Sequence, residues 1–156
     1  MILIVDSGST KTDWLAIDTK TMEQLPFETI GFNPMIQTQS FIENEISLNN
    51  SLTKLGNKIQ KVYFFGAGCS TEANNEKVKN ALQSNFPNAQ IFVDHDLNGA
   101  IIALCQGEPG IACILGTGSN SVYFDGSEQH KKVPSLGYIL GDEGSGAYFG
   151  KQLLKD

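Results

Sequence analysis

Two apolar runs in this chain break into turns built almost wholly from small residues. Residues 2–5 (ILIV) lead into Asp6-Ser7-Gly8-Ser9-Thr10-Lys11-Thr12, and residues 111–115 (IACIL) lead into Gly116-Thr117-Gly118-Ser119-Asn120. A second extended stretch follows each turn, at residues 13–18 and 122–124. Glycine and small hydroxyl residues let a backbone wrap closely around an anion, and consecutive amides can converge on phosphate oxygens. One such turn is better explained as a hairpin with an Asx cap. Two equivalent turns, one opening each half of the chain, suggest two hairpins clasping one polyphosphate. The pattern is neither GxxxxGK[ST] nor GxGxxG, so P-loop and dinucleotide-fold readings are excluded.

The rest of the chain supplies crossover helices. Residues 2–5 read as a strand buried on both faces, paired with 13–18, and a third strand is expected at 27–30. Gly31-Phe32-Asn33-Pro34 is a turn, because a proline biases the preceding residue away from helix. Apolar residues from Ile36 to Leu55 recur at helical spacing and predict one helix stopped by Gly56. A buried strand at 62–65 is followed by a helix capped by Ser70 or Thr71 and running to about Asn85. A strand at 91–93 ends in Val93-Asp94-His95-Asp96, before an apolar helix from about Ala100 to Cys105. Gly107-Glu108-Pro109-Gly110 is the clearest break, giving domains 1–107 and 108–156. A last helix is expected after Gly141-Asp142-Glu143-Gly144-Ser145. The order is that of an α/β fold.

Bulk properties narrow the partners. The net charge is -6, with 11 basic and 17 acidic residues, and no basic cluster exceeds Lys131-Lys132. That excludes a nucleic-acid footprint or an anionic-membrane surface. The apolar N-terminus is too short for a signal peptide, and no run approaches a membrane span, so a cytoplasmic protein is expected. Cys69, Cys105 and Cys113 are widely spaced, with the latter two in apolar runs. They read as buried thiols in a reducing compartment, and no close pair suits zinc.

Several residues are candidates for chemistry. Asp6, at a strand end, is placed to hold Mg²⁺ through water, since that ion gives up its waters reluctantly. Ser9 and Thr10 can add hydroxyl donors to phosphate. Lys11 is divided between a phosphate contact and a solvated hairpin charge. The amide of Asn33 can donate to and accept from vicinal hydroxyls, although a plain turn asparagine fits equally. Asp94 and Asp96 sit where open α/β sheets keep their site residues, and either can cap the next helix. Asp142 and Glu143 suit a helix start. Tyr138 is divided between core and sugar platform, Trp14 reads as a packed strand residue, and His95 as a neighbour of the site.

Four patches together resemble the N-acetylglucosamine kinases and the related activating ATPases of benzoyl-CoA reductase, in the sugar kinase/Hsp70/actin superfamily. They are IVDSGSTKTDW, Gly-Phe-Asn-Pro, VDHD, and GTGSNS followed by LGYILGDEGSG. The resemblance implies a ribonuclease H-like ATPase fold, with a complete first lobe and the start of a second. It implies ATP-dependent phosphorylation of an amino sugar, most simply N-acetylglucosamine at its 6-hydroxyl, with ATP and Mg²⁺ required. The implied roles are Asp96 as catalytic base, Asn33, Asp96, Gly137 and Asp142 on the sugar, and Glu143 as the helix cap. Ser7, Gly8, Ser9, Thr10, Lys11, Gly116, Thr117, Gly118 and Ser119 are implied on the nucleotide, and Asp6 on the metal. A kinase of this kind is about twice as long, so the 156-residue piece alone is expected to be inactive. A homodimer is left open. The rivals are an activating ATPase with a cysteine-held [4Fe–4S] cluster and a non-catalytic sugar sensor. The cysteine placement argues against the first, and the presence of both Asp6 and Asp96 against the second.

Overall fold

The computed structural model describes residues 1–130 and 135–155; Lys131 and Lys132 lie outside them. The chain forms two compact units, Met1–Asp96 and Leu97 onward.

The first unit is built on a five-stranded sheet in the order β3-β2-β1-β4-β5. Its strands are β1 (Ile2–Ser7), β2 (Lys11–Ile17), β3 (Gln24–Ile30), β4 (Lys61–Gly66) and β5 (Gln90–His95). The first three form an antiparallel meander, while β4 and β5 run parallel to β1. The parallel strands need crossovers, supplied by α1 (Gln39–Leu48), α2 (Asn50–Leu55) and α3 (Glu72–Asn85). Leu3, Val5, Trp14, Ala16, Val62 and Phe64 share one buried core with Ile42 and Ile46 of α1 and with Val78 and Leu82 of α3. Trp14 meets Phe32 edge-on, with ring centroids 6.1 Å apart, and its indole N–H donates to Thr29 Oγ1 at 2.9 Å. It is the packed strand residue the sequence suggested.

Two expectations need correction here. β1 is not buried on both faces: Leu3, Val5 and Ser7 are buried, while Ile4 between them is 38% exposed. The side chains of α1, α2 and α3 join the core on only one face of the sheet. The expected single helix over 36–55 is two helices. Asn49 ends the first with its N–H on Ile46 O, and its side chain then accepts from Ser51 N and Leu52 N to cap the second. Local side-chain bonding of this kind competes with helix continuation. Gly56 stops the second helix as its C-cap, as expected, and does so in a right-handed conformation that opens a 3-10 turn, Gly56–Lys58. Of the two caps offered for α3, Thr71 is the one used, accepting from Asn74 N.

The second unit holds α4 (Asp96–Cys105, its first residue in the first unit), the sheet β6 (Gly110–Leu115), β7 (Ser119–Phe124) and β8 (Gln129–His130), then α5 (Gly137–Leu140) and α6 (Gly146–Leu153). Its core is Leu97, Ile101 and Cys105 against Ala112 and Val122. This packing joins α4 to the strands that follow it, so the units part before α4 and not at residue 107. β6 is not a fully buried strand: Ala112 is buried, while Ile111 and Leu115 are 69% and 68% exposed. Cys113 shares their face and is exposed, contrary to the expectation of three buried thiols; Cys69 and Cys105 are buried.

Candidate active site

The first small-residue turn is closed by the register pair Ser7–Thr12 and by Gly8 N–H donating to Lys11 O at 2.9 Å. Gly31 braces it from the side, donating its N–H to Thr10 O at 2.9 Å. A Cβ on Gly31 would stand 2.4 Å from Gly8 O and 2.6 Å from Thr10 N, so only glycine permits this approach. Ser7 faces inward. Its hydroxyl pairs with Thr12 Oγ1 at 2.7 Å, accepts Phe32 N–H at 3.0 Å and contacts Phe32 O at 3.2 Å. Its side chain therefore ties the turn to residue 32, and Ser9 and Thr10 carry the exposed hydroxyls. Lys11 lies with Asp13 (3.0 Å) and Glu28 (3.5 Å), a solvated hairpin charge. The bond to Asp13 raises its pKa.

Asp6 and Asp96 stand toward the same end of the sheet, near the ends of β1 and β5, because the parallel register sets Asp6 beside Phe65 and Phe65 beside Asp94. Asp6 keeps an exposed surface, yet neighbouring atoms strip enough water from its carboxyl to raise its pKa. The carboxylates of Asp96 and Asp13 raise it further, and Lys11 opposes them. Asp96 opens α4, four residues before the expected helix start at Ala100. Its Oδ1 lies 2.7 Å from His95 Nδ1. Asp94 Oδ1 instead accepts His95 N–H at 2.7 Å. Cys69, after β4, has its thiol pushed up to about 12, first by burial and then by Asp96 and Asp94. Such a thiol is inert as a nucleophile.

Asn33 sits in a turn held from several sides. Its N–H donates to Gln37 Oε1 at 2.7 Å, and Gln37 Nε2 donates back to Gly31 O at 3.0 Å. Its Oδ1 accepts Met35 N–H at 3.0 Å, and Lys77 Nζ reaches Pro34 O at 2.9 Å. Gly68, at φ +80, lies so near that a Cβ there would fall 2.3 Å from Asn33 Oδ1.

In the second unit the other turn is built alike. Gly116 N–H donates to Gly118 O at 2.9 Å, and the first amides of α6 donate into the turn, Gly146 to Gly116 O at 2.9 Å and Ala147 to Thr117 O at 3.2 Å. Each turn thus has a carbonyl held by a downstream glycine N–H, Gly31 in one unit and Gly146 in the other. The α6 cap is Ser145, not Glu143: buried Ser145 Oγ accepts Tyr148 N–H at 3.1 Å. Asp142, at φ +63, turns its carboxylate onto the loop, where a Cβ on Gly118 would lie 2.9 Å from Oδ2. A cavity of about 380 Å³ beside it is lined by Asp142, Glu143, Ser119, Asn120, Cys113 and Leu115. Gly137 takes φ +68, and a Cβ there would meet nothing, so its glycine serves backbone conformation. Tyr138 is 63% exposed and lies under Lys151 Nζ, 5.5 Å from the ring centroid, so it is not core.

No family model and no curated protein matches the sequence. Solved structures do. The chain aligns over 99% of its length, at 46% identity and a TM-score of 0.89, with a protein of Porphyromonas gingivalis described as a proposed N-acetylglucosamine kinase. The chain has the sugar kinase/actin-like ATPase fold. The same fold is seen at 18% identity in a proposed N-acetylglucosamine kinase of Chromobacterium violaceum (TM-score 0.64, 99% of this chain) and in the inorganic polyphosphate/ATP-glucomannokinase of an Arthrobacter species (0.54, 94%). The chain spans 55%, 56% and 66% of the lengths of these three proteins, and it matches the first half of kinases with this fold. No helix among the described residues is long and apolar enough to cross a membrane.

Residues outside the four patches' chemical candidates also shape these turns. Gly31 and Gly68 were visible only as turn glycines, and what makes each necessary is a neighbour distant in sequence. Gln37 was absorbed into an expected helix. Ser145 stands at an N-cap position ahead of the aromatic residues of α6, a signal that could have displaced Glu143.

Proposed function

We propose that this chain is the front part of an ATP-dependent sugar kinase acting on an amino sugar, N-acetylglucosamine at its 6-hydroxyl in the simplest case. The observation that carries the reading is the parallel register Asp6–Phe65–Asp94, which brings the ends of β1 and β5, with Asp96 just beyond, to one end of one sheet; burial there, and then the charge of Asp96, raise the pKa of Asp6. Two carboxylates held in repulsion at strand ends suit a site that receives a cation and a hydroxyl. The 46% identity over 99% of the chain favours a kinase of this substrate class.

Asp6 fits Mg²⁺, because it offers hard carboxylate oxygen in a place where a positive charge would relieve the crowding of Asp96 and Asp13. Bound Mg²⁺ would neutralise charge building on the transferred phosphoryl group. Asp96 accepts the proton of the attacking sugar hydroxyl, with His95 fixing its orientation from 2.7 Å. Asn33 holds sugar hydroxyls through its amide. The turn at Gly8, Ser9 and Thr10 presents amides and hydroxyls to phosphate, while Ser7 contributes through its backbone and Lys11 through long-range charge. Gly116, Thr117, Gly118 and Ser119 offer the second set of phosphate contacts. Within the second unit, Asp142 and Gly137 are the residues suited to sugar hydroxyls, and ATP and the sugar are the partners this reading requires. The first unit, with Asp96 at its end, corresponds to a complete first ATPase lobe and the second unit to the start of a second, and turnover is expected of a protein that carries both lobes.

The test is a coupled ADP-release assay of the full-length protein across N-acetylglucosamine, glucosamine and N-acetylmannosamine. ADP release that depends on one of these sugars supports the reading. ADP release indifferent to every sugar would contradict it.

A further inference from the structure

The turn carrying Asn33 is held by a side chain with no part in phosphate or sugar contact as described above. Gln37 bonds at both ends of its amide, accepting Asn33 N–H at 2.7 Å and donating to Gly31 O at 3.0 Å. The backbone adds Ile36 N–H and Gln37 N–H, both on Asn33 O, at 3.1 and 3.0 Å. Gly31 in turn fastens to Thr10 O in the first phosphate turn, and Ser7 Oγ fastens the same turn to Phe32. An unbroken set of hydrogen bonds therefore runs from the phosphate turn through Gly31 and Phe32 to Gln37 and Asn33, all inside one unit.

We propose that Gln37 is a positioning residue for the sugar, acting through Asn33 by fixing the backbone of the turn that presents it. The proposal rests on the reading of Asn33 as a sugar contact. A turn amide that must meet a pair of hydroxyls loses affinity when its backbone wanders, because a displacement of ~1 Å is costly at a binding site. Gln37 removes that freedom without touching the ligand. Methionine has nearly the shape of glutamine and neither hydrogen bond, so Gln37→Met isolates the clasp from side-chain volume.

The experiment is a double-mutant cycle on the full-length protein, with N-acetylglucosamine affinity read by calorimetry and KM and kcat read in the ADP assay. Gln37→Met is expected to weaken sugar binding and raise its KM by ~10-fold, the scale of one or two lost hydrogen bonds, with kcat and the KM for ATP each changed less than ~2-fold. In an Asn33→Ala background the same substitution is expected to change sugar affinity less than ~2-fold, because the residue it acts through is gone. Equal losses in the two backgrounds, or a matching loss of ATP affinity, would overturn the proposal. If Gln37→Met fails to fold, Gln37→Glu enters the same cycle. It keeps the acceptor for Asn33 N–H and loses the donor to Gly31 O, and its expected loss of ~3-fold must likewise vanish without Asn33. Failure of the unsubstituted protein to bind any amino sugar sinks the functional reading and this inference together. Sugar binding with a purely additive cycle sinks this inference alone.

Discussion

Gly31 donates its backbone N–H to Thr10 O at 2.9 Å, and its missing side chain is what lets the turn carrying Asn33 lie directly on the turn of residues 7–12. A methyl group there would stand 2.4 Å from Gly8 O and 2.5 Å from the Ser9 carbonyl carbon. Backbone cannot swing away as a side-chain tip can. Gly31→Ala is therefore expected to lower stability by ~1–3 kcal/mol, the range of overpacking changes, and to weaken ATP binding in the full-length protein. Urea midpoints and nucleotide titration check the two effects separately.

The Asp6 carboxyl holds its proton more tightly in the folded chain than its ordinary value of 3.8 would give, chiefly through burial and then through Asp96. An acid with a raised folded pKa favours folding while protonated, and that contribution is lost as pH rises through the folded pKa. Asp6→Asn removes the charge and its cost. The substitution is expected to raise the urea midpoint at pH 7 and to leave it nearly unchanged below ~pH 4, where the native residue is itself protonated. The same variant should use Mg²⁺-ATP poorly while binding sugar almost normally. A lower midpoint at pH 7 would contradict the electrostatic account.

Ser145 is fully buried at the start of α6, where its hydroxyl accepts Tyr148 N–H and the next amides brace the second glycine turn. Ser145→Ala leaves that donor without a partner. A loss of ~1 kcal/mol is expected, within the usual range for a helix cap, measured by urea unfolding. Glu143→Ala, at an exposed position that caps nothing, is expected to change stability by less than ~0.5 kcal/mol.

Much of this was legible in the residues. The two small-residue turns, the strand-end carboxylates and the Asn-Pro turn are local features: the turns form where their spacing put them, Asp6 and Asp94 lie at the ends of β1 and β5, and Asp96 opens α4. What the sequence hid depends on partners far along the chain. The half-exposure of Ile4 follows from helices that cover only one face of the sheet, and an apolar run cannot reveal how many faces will be covered. The break at Asn49 was hidden because the i, i+4, i+7 spacing of Leu48, Leu52 and Leu55 continues across the cap. The membership of α4 in the second unit depends on Ala112 and Val122, which lie beyond the Gly-Glu-Pro-Gly break that looked like the boundary. The resemblance implied Ser7 on the nucleotide, and only the register of β1 on β2 turns its hydroxyl inward to Thr12 and Phe32.

The central claim is that Asp96 takes the proton from a sugar hydroxyl during phosphoryl transfer. Its most direct test is sugar-phosphate formation, followed by mass spectrometry, for the full-length protein and its Asp96→Asn variant with ATP and N-acetylglucosamine. Asparagine keeps the shape and removes the proton acceptor. The account predicts a single sugar phosphate from the unsubstituted protein and a rate ~10²–10⁴-fold lower from the variant, with sugar affinity changed far less. Formation of the sugar phosphate by Asp96→Asn at most of the original rate would contradict it.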